Sequence, residues 1–340
     1  MTRALVRERS FVRRRRVQSL SRSVFDRTGE NPSWHRVNFC GHPLGEFVPI
    51  RVVDGRAYFA HVAACGLVWV CPTCSTMIRT RRAEELERGT SEWVSRGGSL
   101  VMMTLTVRHN ASLPLDRVRA SLQSAWRVEQ SRKSYMSLRE LTAGVVRSTE
   151  VTIGDNGWHP HLHLLLFVRP GVSSDEVMSL LPALITDWRS LVGAALDDVL
   201  PPSVERAIDL TFFDDAAAAA HYVSKIAKEI TQSNSKSGRD PFSLLDVEGL
   251  ARPRAVARFL EYLDSMRGVQ SLSWSKGLRA LLGLSVPLSD EELAQESLEM
   301  GVEVLALPAS EYLQLLRGGL AASFLVAVEI QVDDEKLEVA

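Results

Sequence analysis

The sequence predicts an α+β fold built on an antiparallel sheet, and three observations carry that prediction. Strand-like and helix-like runs follow one another in the order βαββαβ, with one more helix after them. Two of the strand-like runs are separated by Gly154-Asp155-Asn156-Gly157, a cluster that signals a hairpin and therefore antiparallel pairing. The second of those runs, Gly157-Trp158-His159-Pro160-His161-Leu162-His163 continuing into Leu164-Leu165-Leu166-Phe167-Val168, reads as an extended strand. Side chains on a strand point to alternate faces. Leu162, Leu164 and Leu166 therefore share one face, and His159, His161 and His163 share the other.

Taken in order, residues 1–35 read as a basic, flexible arm. Residues 36–95 hold two short β-like runs (47–53 and 56–62), a group of cysteines and a linking helix over 79–96. Residues 96–232 form the main domain. It has a strand at 100–107, a helix at 115–133, the hairpin strands at 145–153 and 159–168, and a strand at 204–213. A further helix opens on Ser173-Ser174-Asp175-Glu176, a capping-type start, and runs to about residue 192. The helix carrying Tyr222 completes the unit. This is the split arrangement of ferredoxin-like or RRM-like folds, with helices on one face of the sheet and the other face open for a site. A polar linker at 231–240 leads to a helical C-terminal region, 233–284. Residues 285–340 form an acidic segment broken by Pro287 and Pro308, with 324–330 predicted as a closing strand.

The formal net charge of −1 conceals an asymmetry. From Ser285 onward twelve acidic residues face two basic ones, which leaves residues 1–284 with 38 basic and 29 acidic side chains, a balance of +9. The first 22 residues hold eight arginines against Glu8, among them Arg13, Arg14, Arg15 and Arg16. Basic runs of this kind meet phosphate backbones through salt-dependent contacts, so these four are the candidate DNA-binding residues; a solvated tail is the alternative. No apolar run approaches the roughly 20 residues of a membrane span. The basic N-terminus lacks the apolar stretch and cleavage site of a secretory signal. The chain thus reads as cytoplasmic, with no membrane partner.

Three imidazoles within five residues, on a strand whose other face is apolar, point to a metal, because neutral imidazole is the commonest protein metal ligand. With Asp155 and Asn156 at the centre of the turn, pairing places Glu150 opposite His161, Thr152 opposite His159 and Ser148 opposite His163. Opposed residues have Cβ atoms about 5 Å apart, so Glu150 joins the histidines as a candidate ligand. The alternative is a solvated Glu on the polar face, and a register slip of one residue would move it to the wrong side.

Downstream, Asp214-Asp215 and an alanine run open a helix that carries Tyr222 and Lys225. The two are three residues apart and share a helical face, with the small Ala218 and Ala219 one turn earlier. A tyrosine at neutral pH is only about one part in a thousand phenolate, so as a nucleophile it needs a neighbouring ammonium or a polarised phosphate. A packed Tyr beside a solvated Lys is the bland alternative. All four cysteines, Cys40, Cys65, Cys71 and Cys74, fall in one segment. The Cys-x-x-Cys spacing reads as structural zinc, closed and without an open position. His42 or His61 standing in for Cys40 or Cys65 remains open, as do buried free thiols.

Together, Met103-Thr104-Leu105-Thr106-Val107, His161-Leu162-His163 and Tyr222-x-x-Lys225 resemble the three-motif signature of the HUH superfamily of single-strand DNA nickases. More narrowly, the chain resembles initiators of small rolling-circle plasmids, especially actinobacterial ones. Further features of that resemblance are Cys65-Gly66 before Trp69-Val70-Cys71-Pro72-x-Cys74, and Ser273-Trp274-Ser275-x-Gly277-Leu278-Arg279. It covers residues 38–284. The resemblance implies a site-specific nickase and strand transferase in which Mg²⁺ or Mn²⁺ is held by His161, His163 and Glu150, with His159 as a further ligand or supporting group. Tyr222 is then the nucleophile that forms a 5′-phosphotyrosine and frees a 3′-hydroxyl primer, and Lys225 positions the phosphate or phenolate. The implied partners are plasmid origin DNA and a host helicase. Some related initiators have a carboxylate one turn before the tyrosine for termination; here that position is Ala218, which leaves Asp215 or a second protomer's tyrosine for the step. A mobilisation relaxase or transposase of the same superfamily, and a non-catalytic zinc-dependent DNA-binding regulator, are the alternatives.

Overall fold

The computed structural model describes residues 3–213 and 238–338. The helix predicted around Tyr222 and Lys225, and most of the polar linker, lie outside the described residues. The strands are β1 (Phe47–Val53), β2 (Arg56–Phe59), β3 (Ser99–Leu105), β4 (Thr142–Gly154), β5 (Gly157–Val168), β6 (Ile208–Phe213), β7 (Leu272–Trp274) and β8 (Val302–Pro308). Their pairings are antiparallel throughout. The chain divides into two compact units, residues 82–286 and residues 1–81 together with 287–340.

In the unit of residues 82–286, the sheet runs β6-β3-β5-β4-β7. Met103 and Leu105 of β3, with Leu162, Leu164 and Leu166 of β5, form one apolar face. The helices Leu115–Glu129 and Leu181–Ala195 pack there because Val118, Leu122, Ala125 and Trp126, and Leu184, Trp188 and Val192, recur at helical spacing. On the other face the outcome departs from the expected open surface. Leu165 and Phe167 follow His163 on that face and are buried beneath Leu86, Trp93, Leu278 and Leu282. The Trp93 indole N–H donates to the Val168 carbonyl at 2.9 Å. Half of the face is core; the histidine half stays partly exposed.

Of the region expected to be helical, the described residues 238–284 belong to this unit and are not uniformly helical. After the helix Arg252–Ser265, Gly268 takes a left-handed φ of +70°, and Leu272-Ser273-Trp274 then pairs with β4. Trp274 packs on Phe167 with ring centroids 6.2 Å apart, and the Arg279 guanidinium lies over the same indole.

The 1–81/287–340 unit overturns two expectations. The arm expected to be flexible is the helix Arg3–Thr28. It is tied down by Val17, fully buried, and by Gln18, whose amide donates to the carbonyls of Val37 and Cys40 at 3.0 and 2.9 Å. Within the arginine run Arg14 is buried, and Arg15 donates to the Leu316 carbonyl and to Glu8. The run is thus built into the fold through long aliphatic stems that pack while their heads find partners. The closing strand is β8, paired to β1 in a β2-β1-β8 sheet, and Phe324 to Ile330 lie within the helix Ala321–Glu338. Leu325 and Val328 bury together at helical spacing against Phe59 and Tyr312, a pattern that an alternating strand would split between two faces.

Candidate functional site

The β4–β5 register pairs Gly154 with Gly157, Thr152 with His159, Glu150 with His161 and Ser148 with His163. Gly157 closes the turn at φ +87°, and a Cβ there would lie 2.9 Å from the Ala111 Cα. Gly157→Ala should therefore destabilise the unit by about 1–2 kcal/mol or more, read as a fall of several degrees in melting temperature. An unchanged melting temperature would contradict the tightness of this approach.

His163 sits between two partners. Its Nδ1 is 3.1 Å from the Thr104 hydroxyl of β3, and its Nε2 is 2.9 Å from Glu150 Oε2. Two ligand atoms about 2.1 Å from one ion at a right angle lie roughly 3.0 Å apart, so this pair has the separation of neighbouring ligands, with a proton holding the place of the ion. The rings of His161 and His163 have centroids 6.1 Å apart, and His161 Nδ1 is buried with no hydrogen-bond partner. Burial pushes His161 and His159 down to about 4, reinforced by neighbouring imidazoles and opposed at His161 by Glu150. Both are neutral at pH 7, the state a metal requires. The orphaned nitrogen, the neutral rings and the adjacent carboxylate are ligand types for a divalent ion, although among the described residues only the four cysteines bring three or more ligand atoms within 4.8 Å of one another. Thr106 does not join them, because its hydroxyl donates to the Arg206 carbonyl.

One residue that motif reading passes over is His109. Its ring packs on His159 with centroids 4.0 Å apart, and its Nδ1–H donates to the Asn156 carbonyl at 3.2 Å. A signal was present in the register. Because Thr104 pairs with His163, the residues that follow β3 run antiparallel toward His161 and His159.

Tyr222 and Lys225 lie outside the described residues. The other four tyrosines are committed elsewhere. Tyr135, Tyr262 and Tyr312 are buried, with burial pushing the Tyr135 phenol up to about 12. Tyr262 stacks on Trp158, the Tyr312 hydroxyl donates to the Gly41 carbonyl at 2.8 Å, and the Tyr58 hydroxyl donates to the Met300 carbonyl.

In the unit of residues 1–81 and 287–340, the Sγ atoms of Cys40, Cys65, Cys71 and Cys74 lie within 4.8 Å of one another, all buried. The separations Cys40–Cys71, Cys40–Cys74 and Cys65–Cys74 are 3.5, 3.6 and 3.6 Å. They are far longer than a disulfide and close to the roughly 3.8 Å edge of a tetrahedron with 2.3 Å metal–sulfur bonds. His42 and His61 are exposed, so the four thiols form the set that can hold a metal such as zinc. Arg14 reaches this cluster across Gly41, whose φ of +79° and missing Cβ leave room for the guanidinium. Burial opposes the Arg14 charge, but negative character at Cys40, Tyr312, Cys71 and Cys74 outweighs it and raises its pKa.

Among the described residues no single helix is long and apolar enough to cross a membrane. Residues 59–197 match the family model described as replication protein, a segment that contains three of the cysteines and the whole histidine hairpin. The chain is 25% identical over 312 residues to a protein called Protein rep from Streptomyces lividans, covering 71% of this chain and 68% of that one. It is 26% identical over 167 residues to a Protein rep from Lentilactobacillus hilgardii, covering 48% of this chain and 51% of that protein. A neomycin resistance protein from Streptomyces cyanogenus is 30% identical over 145 residues, 35% of this chain and 33% of the relative. The chain thus spans about two thirds, half and one third of these three relatives. No solved structure matches it significantly. Residues 59–197, which carry the histidine hairpin and the Cys-x-x-Cys knuckle, are thus the part of this chain that is similar to replication proteins of the Rep type.

Proposed function

We propose that this protein initiates rolling-circle replication of a plasmid by nicking one strand of the origin and later rejoining it. The observation that carries the reading is the register that gathers Glu150, His161 and His163 on the uncovered part of one sheet face, beside Thr104. The strand order β6-β3-β5-β4 supports a ferredoxin-like HUH core. Glu150, His161 and His163 would hold a Mg²⁺ or Mn²⁺ ion, with His159 beside them. When bound there, the ion would supply Lewis-acid polarisation of the scissile phosphate.

The remaining roles fall to the chain. Thr104 fixes the His163 ring through Nδ1, as supporting groups of metal-binding imidazoles do. The Tyr222 oxygen attacks phosphorus, a new P–O bond forms to tyrosine, and the bond to the 3′-oxygen breaks. That oxygen takes up a proton and becomes the primer hydroxyl, and Lys225 steadies the charge on phosphate or phenolate. Residues beyond Tyr222's segment return near the site, because Arg239 bridges to Ile153, three positions from Glu150. Rejoining reverses the displacement with the 3′-hydroxyl of the finished strand as nucleophile. A host helicase would extend the opening at the nick. The cysteine cluster would carry one structural Zn²⁺. The replication-protein match favours this reading over mobilisation or transposition.

The test is nicking of supercoiled plasmid bearing the cognate origin, with Mn²⁺ and mapped ends. Wild type should yield a 3′-hydroxyl and a blocked 5′ end, and EDTA should stop it. His161→Ala and His163→Ala should remove nicking while the protein still melts cooperatively and binds origin duplex. Glu150→Gln should slow nicking about 10–100-fold at limiting Mn²⁺, the usual cost of weakened metal holding, and recover in part with excess Mn²⁺. Wild-type rates from His163→Ala in EDTA would refute the role of the histidine strand. Duplex binding with no nicking by the wild type would favour the regulator.

A further inference from the structure

We propose that Arg14 is the buried counter-charge of the cysteine metal centre, a positioning residue that favours the metal-loaded, four-thiolate state. The proposal rests on the reading that Cys40, Cys65, Cys71 and Cys74 hold zinc. Zn²⁺ with four thiolates carries a net double negative charge, whereas four metal-free thiols are neutral. An arginine side chain keeps its charge in any protein setting, and burying that charge is costly unless an opposite charge meets it.

Arg14 is 5% exposed, and its Nε is buried with no hydrogen-bond partner. Other arginines of the same helix find carboxylates, Arg7 at Glu329 and Arg15 at Glu8. The groups whose negative character favours the Arg14 charge are instead Cys40, Tyr312, Cys71 and Cys74, and none is a carboxylate. A phenol is neutral at pH 7, so the counter-charge falls to the cysteines, which metal binding turns into thiolates.

The docking of the helix Arg3–Thr28 puts the guanidinium there. Ser10, Arg14 and Gln18 follow one another four residues apart and lie on one helical face. The Ser10 hydroxyl is 3.4 Å from that of Thr73, which sits between Cys71 and Cys74. The Gln18 amide donates to the Cys40 carbonyl at 2.9 Å. Arg14 lies between these two grips, over Gly41. A Cβ on Gly41 would stand 2.5 Å from Cζ and Nη1 of Arg14 and 2.6 Å from Nη2, so the flat guanidinium stacks on the backbone beside Cys40. The Phe11 ring has its centroid 5.4 Å from Cζ, and the Tyr312 hydroxyl donates to the Gly41 carbonyl at 2.8 Å. One face of the helix thus reaches both halves of the cysteine set, with its buried arginine at the centre. Groups that surround metal ligands in this way tune metal affinity and ligand electronics.

The experiment uses the full chain loaded with zinc, with affinity read by competition against a chromophoric chelator. Protein produced in Co²⁺-supplemented medium gives a second readout, the thiolate-to-cobalt charge-transfer band. Arg14→Met keeps a long stem and removes the charge. It should weaken zinc binding about 10–100-fold. Its band should move to longer wavelength, because sulfur electrons no longer held by a nearby cation transfer to cobalt more easily. Arg14→Lys keeps a charge and should recover much of both. Gln18→Leu cuts the helix's grip without touching charge, so it should lower the melting temperature and leave the band in place. Wild-type affinity and an unmoved band in Arg14→Met would overturn the proposal. Equal changes in Arg14→Met and Gln18→Leu would also overturn it, because docking alone would then explain the effect. If Arg14→Met is insoluble, Arg14→Lys against Arg14→Gln makes the same comparison, and equal zinc affinity in those two overturns the charge role. Wild type that takes up no zinc would overturn the zinc reading and this role together, whereas zinc uptake indifferent to Arg14 would overturn this role alone.

Discussion

Origin single-stranded DNA incubated with wild-type protein and Mn²⁺ should become covalently attached, and Tyr222→Phe should lose that adduct completely. Phenylalanine keeps the ring and removes only the nucleophilic oxygen, so folding and duplex binding should not change. Removing a catalytic nucleophile costs about 10⁴-fold or more, which takes the adduct below detection on a denaturing gel. The remaining tyrosines give the prediction its edge. Tyr262 is 1% exposed and stacked on Trp158, Tyr312 is 1% exposed with its hydroxyl on Gly41, and Tyr135 is 3% exposed in the core against Trp126. Tyr58 lies in the other unit, with its hydroxyl on Met300. Tyr58 and Tyr312 thus have their hydroxyls engaged, and Tyr135 and Tyr262 are buried. Lys225→Ala should slow adduct formation without abolishing it. Peptide mapping that finds the DNA on Tyr135 or Tyr262 would sink the assignment.

Cys71→Ser should remove about one equivalent of zinc, measured by elemental analysis, and unfold the 1–81/287–340 unit. Cys71 is fully buried within the four-sulfur cluster. Structural zinc sites contribute on the order of 10 kcal/mol to folding, comparable to the whole stability of a typical domain. Losing the ion would also leave the Arg14 guanidinium buried beside uncompensated thiols, a costly arrangement. Limited proteolysis should then degrade both ends of the chain while a fragment near residues 82–286 survives, since that unit has its own core. Zinc-free Cys71→Ser protein as protease-resistant as wild type would show that the cluster is not structural.

The candidate site was legible where local chemistry fixes geometry. The Gly154-to-Gly157 turn sets a short connection, and period-two alternation then dictates which side chains face which, so Glu150 could be aligned with His161 from the sequence alone. The cysteine set was legible for a similar reason, since Cys71-x-x-Cys74 is a local spacing that few other purposes require. What escaped depends on tertiary contacts. Arg14 reads as one of four solvated arginines until the helix that carries it is docked over Gly41 and Cys40. His109 sits on a loop placed by Arg258 and Glu261, about 150 residues further along the chain. Residues 324–330 are apolar enough for a strand, and only the contact partners of Leu325 and Val328 decide for a helix. Leu272-Ser273-Trp274 shows the reverse case, since three residues are too few for periodicity to separate strand from helix.

The pairing of β1 with β8 sets an order of events during synthesis. The Tyr312 hydroxyl meets a carbonyl 271 residues earlier, and the Glu329 carboxylate accepts from the Ala57 amide 272 residues earlier. Everything between belongs largely to the other unit, which is continuous in sequence and can fold as soon as it leaves the ribosome. At roughly 5–20 residues per second, β1 waits about 12–50 s for its partner with an open edge, the condition that invites aggregation. The four cysteines are all made by residue 74, early in that wait. Early metal capture would brace the nascent segment against chaperone-dependent misfolding, and zinc-starved cells should accumulate aggregated chains rather than merely inactive ones.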